Sequence, residues 1–268
     1  MHNAALAALT AKRPRLADWR YFRFEIHPDD LPRALELFRE KKFHGLNLTV
    51  PHKIIAFDRI AAIDPAARPI GAVNTLVLTP SGWRGHNTDG YGLAAAIREN
   101  LGLDLAGTHV ILVGAGGAAR GAAVECLQRR CASLWIANRT AANLDAILSD
   151  LAPLATGSTL RGFTPGAPPV DLPSGTLVIN ATSAGLRATD ALPVDLTTLP
   201  KVAAVFDMIY NPPQTPLLAR ATKLGLPSAN GLAMLIHQGA KALEIWTDVP
   251  AATTAPIMAT AARDALKH

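Results

Sequence analysis

The sequence predicts an α/β protein of two domains, the second built on a doubly wound parallel sheet. Three observations carry this. The chain has 268 residues, well beyond the ~150-residue span of one typical domain. Strand-like apolar runs alternate with helix-like periodicity through its second half, as parallel strands with crossover helices require. A glycine-rich turn joins the short β-branched run at residues 108–113 to a helix. Hydrophobic residues make up 49% and charged residues 18%, which supplies a core and excludes general disorder.

In chain order, residues 21–26 alternate aromatic and charged side chains and read as a short strand. Residues 28–42 place Leu31, Ala34, Leu35 and Phe38 at the spacing of an amphipathic helix. Residues 45–50 alternate again and stop at Pro51, where a helix can open because proline suits a first helical position. Residues 72–78 and 83–86 flank Thr79-Pro-Ser-Gly and predict a hairpin.

The second domain begins near Gly107. Strands are expected at 108–113, 134–137, 176–179 and 203–206, and helices from the glycine turn to Arg130, at 141–151 and at 216–224. Residues 157–175 are rich in Pro and Gly and read as mostly loop. Residues 231–247 and 250–267 look helical, and they are expected to return to the first domain. The borders are therefore set at residues 1–103 with 231–268 for one domain and 104–230 for the other.

Composition removes several functions. The net charge is +5, but the basic residues fall in isolated pairs such as Lys41-Lys42 and Arg129-Arg130. Nucleic-acid binding is therefore not expected, and a small anionic ligand fits better. Cys126 and Cys131 have neither CxxC spacing nor a neighbouring His cluster, so buried free thiols are expected and no metal site. No apolar run approaches the ~20 residues that cross a bilayer. Lys12 and Arg13 follow the apolar opening instead of preceding it, the wrong order for a secretory signal. A soluble, cytoplasmic protein that does not bind membranes is expected.

Gly114-Ala115-Gly116-Gly117-Ala118-Ala119 lies between a strand and a helix, the context that makes such a motif a dinucleotide site. Gly114 permits the tight turn, Gly116 lets backbone N–H groups approach a pyrophosphate, and small Ala119 lets the helix pack on its strand. The following strand ends in Asn138-Arg139-Thr140. An acid there would favour NAD; a guanidinium and a hydroxyl suit the 2′-phosphate of NADP. This Rossmann-type unit is read as NADP-binding, with NAD as the less favoured cofactor.

Lys53 falls in the first turn after Pro51, where the helix dipole disfavours a cation by ~0.3–1 kcal/mol. It is either a solvated lysine accepting that penalty or an acid–base group. Asp89 precedes an apolar helix and is either a helix-start residue or a site carboxylate. Asn74 sits in an otherwise apolar strand, where a buried amide needs partners. Gln238 shares a helical face with Met234, Leu235 and Ala242; its carboxamide satisfies the core or reaches a ligand.

Taken in order, Asn47-Leu-Thr49-Val-Pro-His-Lys53, Ala72-Val-Asn74-Thr, Gly85-His-Asn87-Thr-Asp89-Gly-x-Gly92, the glycine motif, Asn138-Arg139-Thr140, Asn180-Ala-Thr-Ser-Ala-Gly185, Asp207-Met-Ile-Tyr210-x-Pro and Gly231-x-x-Met-Leu-x-x-Gln238 resemble the shikimate dehydrogenase family. The likeness spans nearly the whole chain. It implies a substrate domain, an NADP-binding domain and the reversible NADPH-dependent reduction of 3-dehydroshikimate to shikimate. It also implies that Lys53 and Asp89 are the catalytic pair, in the cleft between the domains. Thr49, Lys53, Asn74, Asp89, Tyr210 and Gln238 would hold substrate hydroxyls or the carboxylate. Gly114, Ala115, Gly116, Gly117, Ala118, Ala119, Asn138, Arg139, Thr140, Thr182, Met208 and Gly231 would line the cofactor site. No metal is implied, and the enzyme is expected as a monomer or homodimer.

The sequence departs from the family pattern twice. The family's opening strand and Ser-x-Ser-Pro segment stand before the His-Asn that is His2-Asn3 here, and Met1 stands where they should be ending. The expectation is a start internal to the true reading frame; a diverged or impaired relative is the alternative. Asn143 takes the place of a second arginine common in NADP-preferring relatives, which leaves Arg139 to pair the phosphate alone. A quinate or other hydroxylated-ring-acid dehydrogenase and a non-catalytic NADP-binding descendant stay open beside the first reading.

Overall fold

Apolar side chains with helix spacing and with strand spacing alternate along the chain, and the backbone follows them. The computed structural model describes residues 1–266. It divides into two compact units: Met1–Gly92 with the chain from Leu235 onward, and Leu93–Met234. The chain passes between them inside the helices α4 (Asp89–Leu101) and α8 (Leu232–Thr247). The sequence puts the borders at 103/104 and 230/231, in loops, because a continuous helix shows no break in composition where it crosses from one unit to another.

The first unit opens with α1 (His2–Thr10), which buries Ala5, Leu6 and Leu9 on one face. It continues through α2 (Leu31–Glu40), β1 (Gly45–Asn47), α3 (His52–Arg59), β2 (Ala62–Ile63), β3 (Thr75–Thr79) and β4 (Gly82–His86). The four strands lie in the order β1-β3-β4-β2. The hairpin expected around Thr79-Pro-Ser-Gly is the β3–β4 pair, in register from Thr75 opposite His86 to Thr79 opposite Gly82. Leu31, Leu35, Ala56, Ile60, Val73 and Leu76 form the core beneath it. The chain returns here in α8 and α9 (Ala251–Ala265); the expected helix at 250–267 includes Lys267, which lies outside the described residues. Trp246 on α8 donates its indole N–H to the Leu76 carbonyl at 2.8 Å.

Residues 21–26 form no strand. Their alternating aromatics turn to other aromatics instead of a sheet face: Phe24 packs on Phe38 and Phe43 at 5.2 and 5.8 Å. Side chains hold the ends of the segment. The Asn3 amide brackets Tyr21, accepting its N–H at 2.7 Å and donating to its carbonyl at 3.0 Å, and His52 Nε2 meets the Ile26 carbonyl at 2.9 Å. Two other elements are shorter than the sequence predicts. Residues Pro28–Asp30 form a 3-10 turn before α2, and β1 stops at Asn47 before the Thr49 carbonyl accepts the His52 N–H at 2.8 Å. Pro51 is the N-cap of α3, not its first residue.

The second unit runs β5 (His109–Val113), α5 (Gly117–Gln128), β6 (Ser133–Ala137), α6 (Ala141–Leu151), β7 (Thr159–Phe163), β8 (Thr176–Asn180), β9 (Val202–Asp207), α7 (Pro216–Lys223) and β10 (Ser228–Asn230). All pair in parallel, in the order β10-β9-β8-β5-β6-β7. This is a doubly wound sheet whose direction of growth reverses between β5 and β8, and such sheets bind ligands at the carboxyl ends of the strands beside that reversal. Two strands of this sheet, like the two-residue β2 of the first unit, are absent from the sequence reading. β7 lies in the stretch that reads as loop; it is an edge strand with alternating exposure, and Gly162 lets α6 press close, since a Cβ there would meet Leu148 at 2.7 Å. β10 is three half-buried residues, Ser-Ala-Asn, with no apolar run to signal it.

Two outcomes follow from this packing. A Cβ on Gly45 would lie 2.0 Å from the Trp246 indole nitrogen. Gly45→Ala should therefore displace the ring from Leu76 and cost about 2 kcal/mol, read as a lower urea midpoint. His2 is 6% exposed and stacks on Tyr21 at 4.1 Å; burial first, and the Met1 ammonium second, push it down from 6.5 to about 4. The unfolded chain then binds the extra proton between these values. Stability should be full above pH 6.5 and fall by up to about 3 kcal/mol as the pH drops toward 4. Melts of His2→Phe, which keeps a ring but cannot titrate, should lose that part of the slope.

Candidate active site

Lys53 is the second residue of α3, whose start is set by Pro51. Its ammonium donates to Asp89 Oδ2 at 2.6 Å, and the two side chains are 23% and 25% exposed. The ion pair offsets the penalty of a cation at a helix N-terminus. Asp89 is the first residue of α4, yet its carboxylate does not close the helix start. Asn87 does that, accepting the Asp89 N–H at 3.0 Å, and so leaves both Asp89 oxygens for the site.

Asn74, 2% exposed, supplies the second donor to Asp89, from Nδ2 to Oδ1 at 2.8 Å. The same nitrogen lies 3.4 Å from Gln238 Oε1, and Gln238 Nε2 donates to the Leu235 carbonyl at 3.1 Å. Gln238 therefore both satisfies a backbone group and touches the cluster. Lys53, Asp89, Asn74 and Gln238 stand together in the first unit. Thr49 is exposed and contributes its carbonyl to the turn before α3. Tyr210 belongs to the second unit and is 38% exposed. An ammonium held against a carboxylate, with neutral amides around it, can bind a hydroxyl and pass a proton to an oxygen.

In the second unit the glycine motif separates into two kinds of position. Gly114 has φ +117°, and a Cβ on it would meet Thr182 Cγ2 at 3.0 Å; the protein's own packing requires glycine there. Gly116 and Gly117 open α5, and no atom comes within 4 Å of a Cβ built on either. The space before the helix N-terminus is open to a ligand. Ala119 is fully buried, and Ala115 and Asn143 border the same groove as Gly116 and Gly117. Asn138 donates to the Thr140 carbonyl at 2.9 Å. Arg139 and Thr140 are exposed, and Arg139 has no ion-pair partner among the described residues. An uncommitted guanidinium beside an open helix N-terminus fits the phosphates of a dinucleotide such as NADP.

Residues with no role in the sequence reading hold the loops beyond β8 and β9. Asn180 accepts from the Thr182 N–H and hydroxyl at 3.1 and 2.8 Å and donates to Asp207 Oδ1 at 3.0 Å. Asp207 also takes the Ile209 N–H at 3.1 Å and the Thr215 hydroxyl at 2.6 Å. Burial pushes its carboxyl above the usual range against the pull of these donors. The available signal is one polar residue closing each of two strands whose interiors are apolar. Gly231 passes the Met208 carbonyl so closely that a Cβ would lie 2.1 Å from its oxygen, which sets Met208 and Gly231 side by side. Among the described residues no group of three or more His, Cys, Asp or Glu is placed to hold a metal, and no helix is long and apolar enough to cross a membrane.

Known proteins resemble the chain along nearly its whole length. Residues 1–76 match the family described as shikimate dehydrogenase substrate binding domain, and residues 231–261 the shikimate 5′-dehydrogenase C-terminal domain. A shikimate dehydrogenase (NADP(+)) of Methylobacterium radiotolerans is 40% identical over 84% of this chain and 80% of its own. The structure of shikimate 5-dehydrogenase from Thermus thermophilus in complex with NADP(H) and shikimate is 30% identical, with a TM-score of 0.79 over 98% of this chain and 94% of that one. The ligand-free 5-ketofructose reductase of Gluconobacter sp. strain CHM43 is 34% identical, with a TM-score of 0.81 over 95% and 91%. Sequence motifs, fold and relatives agree: the chain belongs to the shikimate dehydrogenase family.

Proposed function

We infer that the chain is an NADP-dependent shikimate dehydrogenase, an oxidoreductase that interconverts 3-dehydroshikimate and shikimate. The observation that carries this reading is the Lys53–Asp89 pair at 2.6 Å, braced by Asn74 at 2.8 Å. When bound, NADPH supplies a hydride to the ketone carbon. The ketone oxygen then holds a negative charge, and the Lys53 ammonium donates a proton to it, which needs an approach within about 3 Å. Asp89 orients that ammonium and accepts from a neighbouring substrate hydroxyl. In the oxidation direction Lys53, having lost its proton to solvent, takes one from the shikimate hydroxyl. Thr49, Asn74, Gln238 and Tyr210 serve the remaining hydroxyls and the carboxylate.

In this reading residues 1–103 with 231–268 take the substrate and 104–230 the dinucleotide. The N–H groups from Gly114 to Ala119 face the pyrophosphate, Asn138, Arg139 and Thr140 take the adenosine phosphate, and Thr182, Met208 and Gly231 border the nicotinamide. The enzyme works in the cytoplasm as a monomer or homodimer. Cys126 and Cys131 are free and buried, which suits a reducing compartment. A second reading keeps the chemistry and changes the substrate to quinate or another polyhydroxylated ring compound; the likeness to a protein named as a 5-ketofructose reductase favours it.

The direct test is shikimate-dependent reduction of NADP, followed by absorbance beside quinate and 5-ketofructose. Shikimate with NADP should give the highest kcat/KM, and absence of shikimate turnover overturns the reading. Lys53→Ala should lower kcat by about 10²–10⁴-fold while titration shows near-parental NADP affinity; a purely binding protein would have no turnover for that lysine to support. Arg139→Ala should raise the KM for NADP by about 10–100-fold, the worth of one charge-assisted phosphate contact, and leave the KM for NAD nearly unchanged.

A further inference from the structure

Behind Asp89 a relay of buried and half-buried polar groups runs from Tyr21 to the carboxylate, with a side branch in which the Thr88 hydroxyl lies 3.2 Å from Asn74 Oδ1 and 3.4 Å from Gln238 Oε1. The Tyr21 hydroxyl donates to Asn47 Oδ1 at 3.0 Å. Asn47 Nδ2 donates to the Asn74 carbonyl at 3.2 Å and to Thr75 Oγ1 at 3.0 Å. The Thr75 hydroxyl donates to Asn74 Oδ1 at 2.9 Å, and Asn74 Nδ2 to Asp89 Oδ1 at 2.8 Å.

The direction follows from groups that can act in only one way. A backbone carbonyl only accepts, so the Asn47 atom facing it is the nitrogen, and its oxygen faces Tyr21. With Asn47 donating to Thr75 Oγ1, the threonine proton goes to Asn74 Oδ1 at 2.9 Å, nearer than Thr88 Oγ1 at 3.5 Å. Asn74 Oδ1 also receives the Thr88 backbone N–H at 2.9 Å, which only donates. Turning the Asn74 amide over would set its NH2 against that N–H and its oxygen against the Asp89 carboxylate. Thr75 is fully buried and Thr88 2% exposed. Valine would fill the volume of Thr75 without a buried hydroxyl to satisfy, so packing alone gives no reason for threonine. Upstream, Asn3 brackets the Tyr21 backbone and His2 stacks on its ring. Burial pushes the Tyr21 phenol up from its ordinary value, which keeps the donor protonated.

We propose that Thr75, Asn47 and Tyr21 are positioning residues which, through the amide of Asn74, hold the Asp89 carboxylate in the orientation that engages Lys53. Aligned donors also polarise one another, so the far end of the chain strengthens the bond that reaches Asp89. The inference rests on the reading of Lys53 and Asp89 as the catalytic pair.

The test compares Thr75→Val, Thr75→Ser and Tyr21→Phe with the parent in two measurements: kcat and KM for shikimate with NADP, and hydrogen exchange of the Thr88 amide in the ligand-free protein. Thr75→Val should lower kcat by about 10–100-fold, as misplacement of a site group does, with KM within about threefold. In the same variant Thr88 exchange should quicken at least about tenfold. Thr75→Ser, which restores the hydroxyl, should return both to within about twofold, and Tyr21→Phe should lower kcat about two- to fivefold. A folded Thr75→Val with parental kcat and parental Thr88 exchange overturns the proposal, as does a Thr75→Ser that does not recover. If Thr75→Val does not fold, parental kcat in Tyr21→Phe overturns it. If the parent shows no shikimate turnover, the functional reading fails, while Thr88 exchange still decides this one.

Discussion

A carboxylate that must stay charged in a half-shielded place is the constraint around which the first unit is organised. Asp89 takes one oxygen to the Lys53 ammonium and the other to the Asn74 amide. Neither donor is held by its own backbone alone. Lys53 is placed because the turn after β1 leads into Pro51, the N-cap of α3; Asn74 is placed because it leads, buried, into β3, the strand of the hairpin that also pairs with β1. Removing one charge from water is tolerable only when its partners arrive already oriented. The elements that deliver them are those the unit's core is built around, including α8, whose Gln238 approaches the cluster and whose Trp246 is bonded to Leu76.

The second unit meets a different demand: leaving room. A doubly wound sheet with buried central strands brings the carboxyl ends of β5, β6, β8 and β9 to one edge, and the loops that leave them must be held without filling the ligand's space. Asn180 and Asp207 do this from inside, each ending a strand and each bonding the N–H two residues on in its own loop. Their mutual bond at 3.0 Å ties the two loops together. The surface of those loops then stays uncommitted, as the exposed Arg139 and the open front of α5 illustrate.

Much of this is legible from residues alone, for physical reasons that differ by element. The parallel strands β5, β8 and β9 read clearly because burial on both faces demands continuous apolar runs. Edge strands escape that demand, and β7 and β10 go unread for it. The segment at 21–26 misleads in the opposite direction: aromatic alternation is also what a cluster of stacked rings needs. At the site, Lys53, Asn74 and Gln238 stand out as polar residues in costly places, whereas Asp89 alone reads equally as a favourable helix-start acid. The ion pair does not stand out, because Asp89 and Lys53 lie 36 residues apart in sequence and only the hairpin between them closes the distance. Thr75, Thr88 and Asn47 carry no signal, since a threonine beside an asparagine in a strand is ordinary until its hydroxyl is seen to have a direction.

The glycines of the nucleotide unit show how fold and ligand can write to separate positions. Gly114 and Gly231 are demanded by neighbouring protein atoms at 3.0 and 2.1 Å, whereas Gly116 has nothing near it. Selection for thermal robustness alone would therefore guard the former pair and be blind to the latter. A chain evolved under that pressure would accumulate side chains in the vestibule of α5, keeping its melting curve while it lost its coenzyme.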